Sequence, residues 1–563
     1  MTKTSGNFTD FVDFSRASSG TALRRIAYGS ELITNGTFDS DYTGWTAYGN
    51  ITDVPTLTIV SGELEVAATS ESSNQGITTQ LSGLSTGDIC QITFDLTAEV
   101  GTGLTYVRLA STATLSGTDI FPEASLNAGT HTTTFVVDND TPYLGLFTYQ
   151  SGGAARGFTI DNVTVKKVTL DDSSGDLVLF NHPDDIPRVE YDTSGNVKGL
   201  LVEEARTNLI PYSEDFTNAD WDKVTATVTT NAATAPDGTS TADKVTLTSA
   251  STSYVREFLT ISNAIHSFSI FAKAGTTSSI QLYVIEQGVV SGTADIDLSD
   301  GTVSNVNGAF TDGVTATSFV DGWYRITGKR TFTASATNHG FGVAATGQNG
   351  LDFYIWGAQL EAGSFATSYI PTSGSTAARS VDIASIDVDQ FGYNKTAGTM
   401  LVEYNYVALD SGVLGRFLEL NGTSASTERI LLYQAEGSEN TYFQIRDDGV
   451  TSVGLSTPDF TFDQDAKVAA SYSSKSAILY SDGDLSGADT SVVVPDDITK
   501  LDIGRADSSG TDLGKVYIKS VKYYPRRLTN AQLEKLTKPA ASTTLSLTFD
   551  GQDGSSLTTG LHP

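Results

Sequence analysis

Glu203-Glu204 is the carboxylate pair in this chain that most invites a catalytic reading. Hydrolysis of a glycosidic bond needs two carboxylates flanking that bond. The pair sits in GLLVEEART, an apolar run with strand character. Neighbouring residues of a strand point to opposite faces, so these two cannot act on one bond together. No strand carries closely alternating acids of the E-x-D-x-x-E kind. The histidines His131, His182, His266, His339 and His562 are far apart, and none stands in H-x-H or H-E-x-x-H spacing. His182, in FNHPDD, reads as a solvent-exposed turn residue. A G-x-S-x-G elbow, a P-loop and a dinucleotide fingerprint are all missing. The reading is a protein that is not an enzyme.

Binding chemistry is easier to place. Ca²⁺ takes several oxygen ligands from clustered Asp, Asn and loop carbonyls. Asp39 follows Phe38 near one end of a repeated segment, and Asp161 stands in FTIDNV near the other. If the strands at those ends pair, a structural Ca²⁺ at Asp39 and Asp161 would staple them; the competing reading is two solvated turn carboxylates. No cofactor is otherwise required. A sugar site needs an aromatic platform with polar groups fixing the hydroxyls. Trp45, Trp221, Trp323 and Trp356 are candidates, as is the pair Tyr523-Tyr524. Trp45 and Trp221 recur at one repeat position and read as core plugs. Trp356 replaces the residue that is Asp161 in the other copy, which makes it the better exposed platform, with Tyr523 and Tyr524 beside it as carbohydrate-binding candidates.

These side chains must be carried by strands. Thr, Ser, Gly and Asp are abundant, Pro numbers only 13, and 39% of residues are hydrophobic, including 23 Tyr and 26 Phe. That composition, with alternation almost throughout, predicts many short strands joined by tight turns. The balance of 34 Lys+Arg against 66 Asp+Glu gives a net charge of −32 spread along the chain. Such a surface repels phosphate backbones, so no nucleic acid is expected as a partner. No run approaches the ~20 apolar residues that cross a bilayer, so no membrane partner is expected. The start, MTKTSGNFTDFVDF, lacks a signal-peptide apolar core, and export by that route is not expected. The single Cys90 excludes a disulfide framework and reads as a small buried hydrophobe.

A chain of 563 residues exceeds one core, and roughly three to four domains are expected. ELITNGTFDSDYTGW (31–45) is a loose copy of NLIPYSEDFTNADW (208–221), with Leu32-Ile33, Phe38 and Trp45 matching Leu209-Ile210, Phe216 and Trp221. The late strands FTIDNVTV and FYIWGAQL match as well, so a duplicated domain whose first and last strands pair is expected. The fold class is all-β: tandem antiparallel β-sandwiches, two of them jelly rolls and the third concanavalin/laminin-G-like, with one short C-terminal helix. The divisions are an N-terminal strap at 1–29, a first jelly roll at 30–168, a β-hairpin strap at 169–207, a second jelly roll at 208–372, the third sandwich at 373–538 and a terminal strand and tail at 539–563. The helix is predicted over LTNAQLEKLTKP, capped by Thr529 with Gln532 and stopped by Pro539. Phe8, Phe11 and Phe14 are candidate docking residues of the first strap.

FSRASSGT (14–21), PRVEY, GLLVEEARTNLIPYSEDFTNADW and YIWGAQLEAGSFATSYIPTSGS resemble stretches of a widespread set of bacteriophage virion proteins. These are described as tail-fibre, head-fibre or minor structural proteins. The unit ending in VKYYPRRLTNAQLEKLT is similar to their concanavalin/laminin-G-like sandwich, and the first module is similar to carbohydrate-binding jelly rolls. In the family the Ser-Arg-Ala-Ser stretch runs soon into the Pro-Arg strap; here a whole jelly roll intervenes, which reads as an insertion into a surface loop. The resemblance implies a tail-fibre or receptor-binding appendage on the virion surface, synthesised in the host cytoplasm, that recognises host surface polysaccharide. Its implied partners are other virion proteins and further copies of itself, a trimer being the usual fibre solution. A capsid-surface (head) fibre or adaptor without a sugar-binding role is the alternative, and a polysaccharide depolymerase a more remote one.

Overall fold

The computed structural model describes residues 12–538, 546–550 and 556–560, apart from 50–52, 70–73, 101–104, 111–112, 114–116, 121–125, 127, 141, 149–156, 309, 311–312, 334, 346–348, 411–413, 424–426, 436–437, 439, 459–460 and 505–512. Phe8, Phe11, Pro539 and His562 lie outside the described residues. The chain is all-β, folded as tandem sandwiches that are almost wholly antiparallel, and one α-helix, Asn530–Thr537, is present among the described residues. It divides into two compact units, Arg25–Asp176 and the remainder. No helix among the described residues is long and apolar enough to cross a membrane.

In the 25–176 unit, one sheet runs Gly129–Val136, Ile89–Val100, Gly157–Leu170 and Gly20–Glu31, with the hairpin of Thr56–Val60 and Glu63–Ala67 added along Gly157–Leu170. The facing sheet has five strands in the order Thr46–Tyr48, Gln75–Gln80, Tyr143–Thr148, Thr105–Ala110 and Gly117–Asp119. Alternation turns Ile77, Val107, Leu144 and Leu146 inward against Ile92, Phe94, Phe158 and Ile160. Cys90 is buried in that core, and burial pushes its thiol up to about 12.

The second jelly roll has two six-stranded sheets. One runs Trp221–Val224, Ser253–Ile261, Ala336–Ala345, Ser279–Glu286, Val289–Asp297 and Thr302–Gly308. Its opening repeats that of the first. Leu32 N donates to Val165 O at 2.9 Å and Val163 N to Gly36 O at 2.9 Å; Leu209 N donates to Leu360 O at 2.8 Å and Ala358 N to Ser213 O at 2.8 Å. Phe38 meets Trp45 at 5.7 Å and 51°, and Phe216 meets Trp221 at 4.7 Å and 49°. The first and last strands of each copy therefore pair, and an aromatic couple plugs the same corner of each core.

The third sandwich packs a seven-stranded sheet on a nine-stranded one. The hairpin Arg188–Tyr191 and Val197–Glu203, turned at Gly195 (φ 84°), pairs with Lys515–Tyr524 and so belongs to this sandwich's larger sheet. Phe14, on Asp13–Ser15, packs against the same core. Ser546–Asp550 adds to Lys515–Tyr524 as a parallel edge strand. At the helix start, Thr529 accepts from Gln532 N while the Gln532 side chain accepts from Thr529 N, the capping box read from the sequence.

Candidate functional site

Four of the quoted sequence motifs converge on one buried ionic joint. Arg16 of FSRASSGT, Arg188 of PRVEY, Glu203 of GLLVEEART, Ser368 of ATSYIPT, Arg379 and Asp382 all lie in the larger unit, and every charged side chain among them is fully buried. Arg188 pairs with Glu203 at 3.0 Å and with Asp382; Arg16 reaches Asp382 at 3.2 Å, and Lys515 reaches Glu203 at 3.4 Å. Ser368 donates from both N and Oγ to Glu203, at 3.0 and 2.7 Å. Burial opposes the Glu203 charge, but Arg379, Lys515 and Arg188 together hold its carboxyl well below the usual range. Glu204 faces elsewhere: it pairs with Arg206 at 2.5 Å and accepts from Gly514 N, and burial pushes it up to about 7. The two glutamates serve separate partners, as their strand positions require. Every charge in the joint meets an opposite charge, and only Nε of Arg188 and of Arg379 lacks a hydrogen-bond partner; enclosed in this way, the joint is built as a structural clasp.

The sequence-predicted binding residues fall elsewhere, and most are buried. Trp356 is 1% exposed and is not a surface platform: Leu179, Phe271, Trp323 and Tyr369 enclose it, and its Nε1 donates to Thr241 Oγ1 at 3.0 Å. Trp45, Trp221 and Trp323 are buried too. Tyr523 lies in the core of the third sandwich against Phe391 and Tyr393, whereas Tyr524 points to the other face, toward the helix. Alternation separates them, so they form no joint platform. His182 is also buried, edge-on to Phe180 and beside Arg24, and burial holds its imidazole well below the usual value. Asp39 is exposed and accepts from Thr37 Oγ1. Asp161 is half-buried with Oδ1 unpartnered, and its carboxyl is raised by burial and by the charges of Glu63, Asp95 and Asp39. No group of three or more His, Cys, Asp or Glu among the described residues is arranged to hold a metal ion.

An aromatic platform does exist, on the outward face of the five-stranded sheet. Cross-strand register sets Tyr48, Gly76, Phe147 and Tyr106 in one row. The Phe147 ring lies 5.8 Å from that of Tyr48 and 5.6 Å from that of Tyr106, stacked on the latter at 16°. A Cβ at Gly76 would meet the Leu146 carbonyl and stand 2.5 Å from Phe147 Cβ, so the row keeps a side-chain-free step. Arg108, from the adjacent row, lays its Cζ 5.1 Å from the Phe147 centroid, and Asp119 holds it through Nε–Oδ1 at 2.7 Å and Nη2–Oδ2 at 3.1 Å. That hydrogen-bonded carboxylate also raises the Arg108 pKa. Tyr48, Tyr106 and Tyr143 are half-buried and shallow enough to present ring faces.

The second jelly roll repeats the arrangement on the face opposite Val255 and Val343. Tyr254, Arg256 and Phe258 flank Ala344, Gly342 and Gly340, and Gln281, Tyr283 and Ile285 flank them from the other side. Small residues along Ala336–Ala345 thus leave room for the flanking side chains to close over them; a Cβ at Gly342 would stand 2.8 Å from Arg256 Cβ. Arg256 Cζ lies 5.5 Å from the Tyr254 ring and 5.1 Å from Phe258, and its Nε donates to Asp222 Oδ2 at 2.8 Å. Tyr254 meets Tyr283 edge-on at 5.1 Å, and the Tyr283 hydroxyl is buried without a hydrogen-bond partner. Each face therefore sets two rings that reach the surface, Tyr48 with Tyr106 and Tyr254 with Phe258, around a buried third, Phe147 or Tyr283, with an Arg held near a ring by an Asp. Sequence reading missed both because the members come from strands far apart in the chain. The signal was present in TYVRLA, YLGLFT and YVREF, where aromatic and Arg residues occupy the alternate positions to the core aliphatics.

No family model matches the chain, and no curated protein matches it. Among solved structures it is similar to the CBM40 of a Ruminococcus gnavus IT-sialidase bound to α2,3-sialyllactose, at 18% identity and TM-score 0.22, over 26% of this chain and 84% of that one. It is similar to domains LG4-5 of mouse laminin α1 at 11% identity and TM-score 0.20, over 61% of this chain and 96% of that one. It is also similar to Trypanosoma rangeli sialidase in complex with 2,3-difluorosialic acid, at 10% identity and TM-score 0.23, over 87% and 84% of the two chains. Likeness at these scores assigns neither ligand nor activity.

Proposed function

We propose that this chain is a bacteriophage virion appendage protein that binds host-surface glycan through its sandwich faces and catalyses no reaction on it. The observation that carries the reading is the constellation found twice, two surface rings over a buried one with an Asp-held Arg beside them on an outward sheet face. Aromatic faces pack on the C–H surface of a sugar ring, and a fixed guanidinium donates to its hydroxyls. Two such faces in one chain suit a repeating polysaccharide. Linked sites gain ~10² to 10⁴ in effective affinity without new contacts, and assembly into a homotrimer with other virion proteins would extend that gain. The phage reading rests on FSRASSGT, PRVEY, GLLVEEARTNL and GAQLEAGSFATSYIPT, which supply Arg16, Arg188, Glu203 and Ser368 to the ionic clasp.

The experiment is adsorption competition. Purified protein added to host cells before phage should lower adsorption, and Tyr106→Ala with Tyr254→Ala in the same chain should abolish the effect. Undiminished adsorption at saturating protein would refute the proposal.

A further inference from the structure

The third sandwich opens at one end, between its two sheets, into a cleft of about 110 Å³. Thr441, at the start of Thr441–Asp447, and Thr457 form its buried floor. Thr461, Gln464 and Asp465 stand exposed at the rim, and Asp482, half-buried, closes it beyond the end of Ser476–Ser481. An enclosed water takes roughly 10–15 Å³ of such space, so the cleft has room for about seven or more, the volume of one sugar residue. Its floor is held in place: Tyr404 Oη lies 2.6 Å from Thr441 Oγ1, and Thr457 Oγ1 accepts from Thr441 N at 2.9 Å. The rim is not, since among the described residues the side chains of Thr461 and Gln464 meet no hydrogen-bond partner.

Charge decides what fills it. Asp465 is compensated, because Lys519 pairs with it and Asn405 Nδ2 donates to it at 3.3 Å. Asp482 is not. A tight turn, with Asp482 at φ 49°, aims its carboxylate, which accepts from Lys467 N at 3.0 Å and Ser481 Oγ at 3.3 Å, both neutral donors. The Lys467 ammonium is taken up by Glu403 at 3.4 Å. Burial, and then the like charges of Asp484 and Glu403, raise the Asp482 carboxyl, as expected of an anion that lacks a cation. An anionic ligand is therefore repelled. A bare metal ion would meet two carboxylates, one of them already paired with a lysine, and no group of three or more ligating side chains is arranged for it among the described residues. A ligand with one ammonium among several hydroxyls fits both the charge and the polar rim, since each hydroxyl donates to one group and accepts from another.

We propose that this cleft binds a sugar residue bearing a free amino group, with the ammonium on Asp482 and the hydroxyls on Thr461 and Gln464. The site goes beyond the jelly-roll reading, because no residue of those faces contributes to it. The test uses the full chain carrying Tyr106→Ala and Tyr254→Ala, so that its outcome does not depend on them. Calorimetric titration near about pH 6.5, where such an amine is protonated, should show glucosamine binding about tenfold more tightly than glucose or N-acetylglucosamine, the scale of a hydrogen bond to a charged group. Adding Asp482→Asn should remove that preference. Adding Gln464→Trp, which fills the mouth and leaves the charge in place, should abolish binding, with the melting temperature reporting that each variant is folded. No binding of glucosamine, or equal binding of glucose or N-acetylglucosamine, overturns the proposal. So does glucosamine binding indifferent to both substitutions, which would report only the general attraction of a chain of net charge −32 for amines. Binding of CaCl₂ alone that Asp482→Asn removes overturns it too, and would make the cleft a cation site.

Discussion

Replacing Arg188 by Ala tests whether the buried ionic joint acts as a structural clasp. The guanidinium is fully buried and serves Glu203 at 3.0 Å, Asp382, the Thr21 carbonyl at 3.0 Å and Ser368 Oγ at 2.6 Å. Its loss removes one cation partner from each of two carboxylates in a dry interior. Removing one partner of a buried ion pair typically costs about 3–5 kcal/mol. Here Arg16 still reaches Asp382, and Lys515 still reaches Glu203, so the lower end, about 3 kcal/mol, is expected. At about 2–4 °C per kcal/mol for a large domain, the melting temperature should fall by roughly 6–12 °C. Calorimetry gives the shift, and tryptophan fluorescence in urea assigns it, because Trp221, Trp323 and Trp356 report on the larger unit and Trp45 on the 25–176 unit. Arg188→Lys should recover less than half of the loss, since an ammonium cannot make the forked contact. A loss below about 1 kcal/mol for Arg188→Ala would refute the clasp, placing it in the range of exposed pairs.

Two further outcomes follow from buried carboxylates. In the second jelly roll, burial raises Glu214 and Glu257 to about 8 and Asp243 to about 7, each above its unfolded value. The folded state then binds more protons, so their stabilising contribution is complete below about pH 4, falls as pH rises, and is gone above about pH 8. Glu203, held low, acts oppositely, and its contribution is lost only as pH falls below about 4.5. Urea midpoints of the larger unit should therefore peak near about pH 5 and decline toward pH 8; a midpoint that rises over that interval contradicts the assignment. In metal-free buffer Asp161→Asn should stabilise the 25–176 unit, because it removes a charge beside Glu63, Asp95 and Asp39. If the same substitution destabilises the unit only when CaCl₂ is present, the Ca²⁺ expected at Asp161 is real.

Much of this architecture was readable before any coordinates. Alternation identified the strands, and the matched Leu-Ile, Phe and Trp positions of the two copies revealed which first and last strands pair, because both features are local in sequence. The site was not. Trp356 sits at an alternation position that should face outward, and it does, but Leu179 from a distant segment covers it. Tyr523 and Tyr524 look like one platform in the sequence and lie on two faces of a sheet. His182 looks like a turn residue and is enclosed by chain that arrives from the N-terminal strap through Arg24. Which outward face stays accessible depends on what packs over it, and that is decided by contacts between segments hundreds of residues apart. The rows Tyr48–Phe147–Tyr106 and Tyr254–Tyr283 are likewise assembled by register, to which no single strand testifies.

The central claim is that the two outward jelly-roll faces bind saccharide chains, and retention on host-envelope polysaccharide in affinity gel electrophoresis tests it most directly. The account predicts that the full chain is retarded, that Tyr106→Ala or Arg256→Ala each reduces the retardation, and that the pair together reduces it by more than the product of the two single effects, as loss of linkage between sites requires. Retardation that is unchanged in the double variant, with both units still folded, would contradict it.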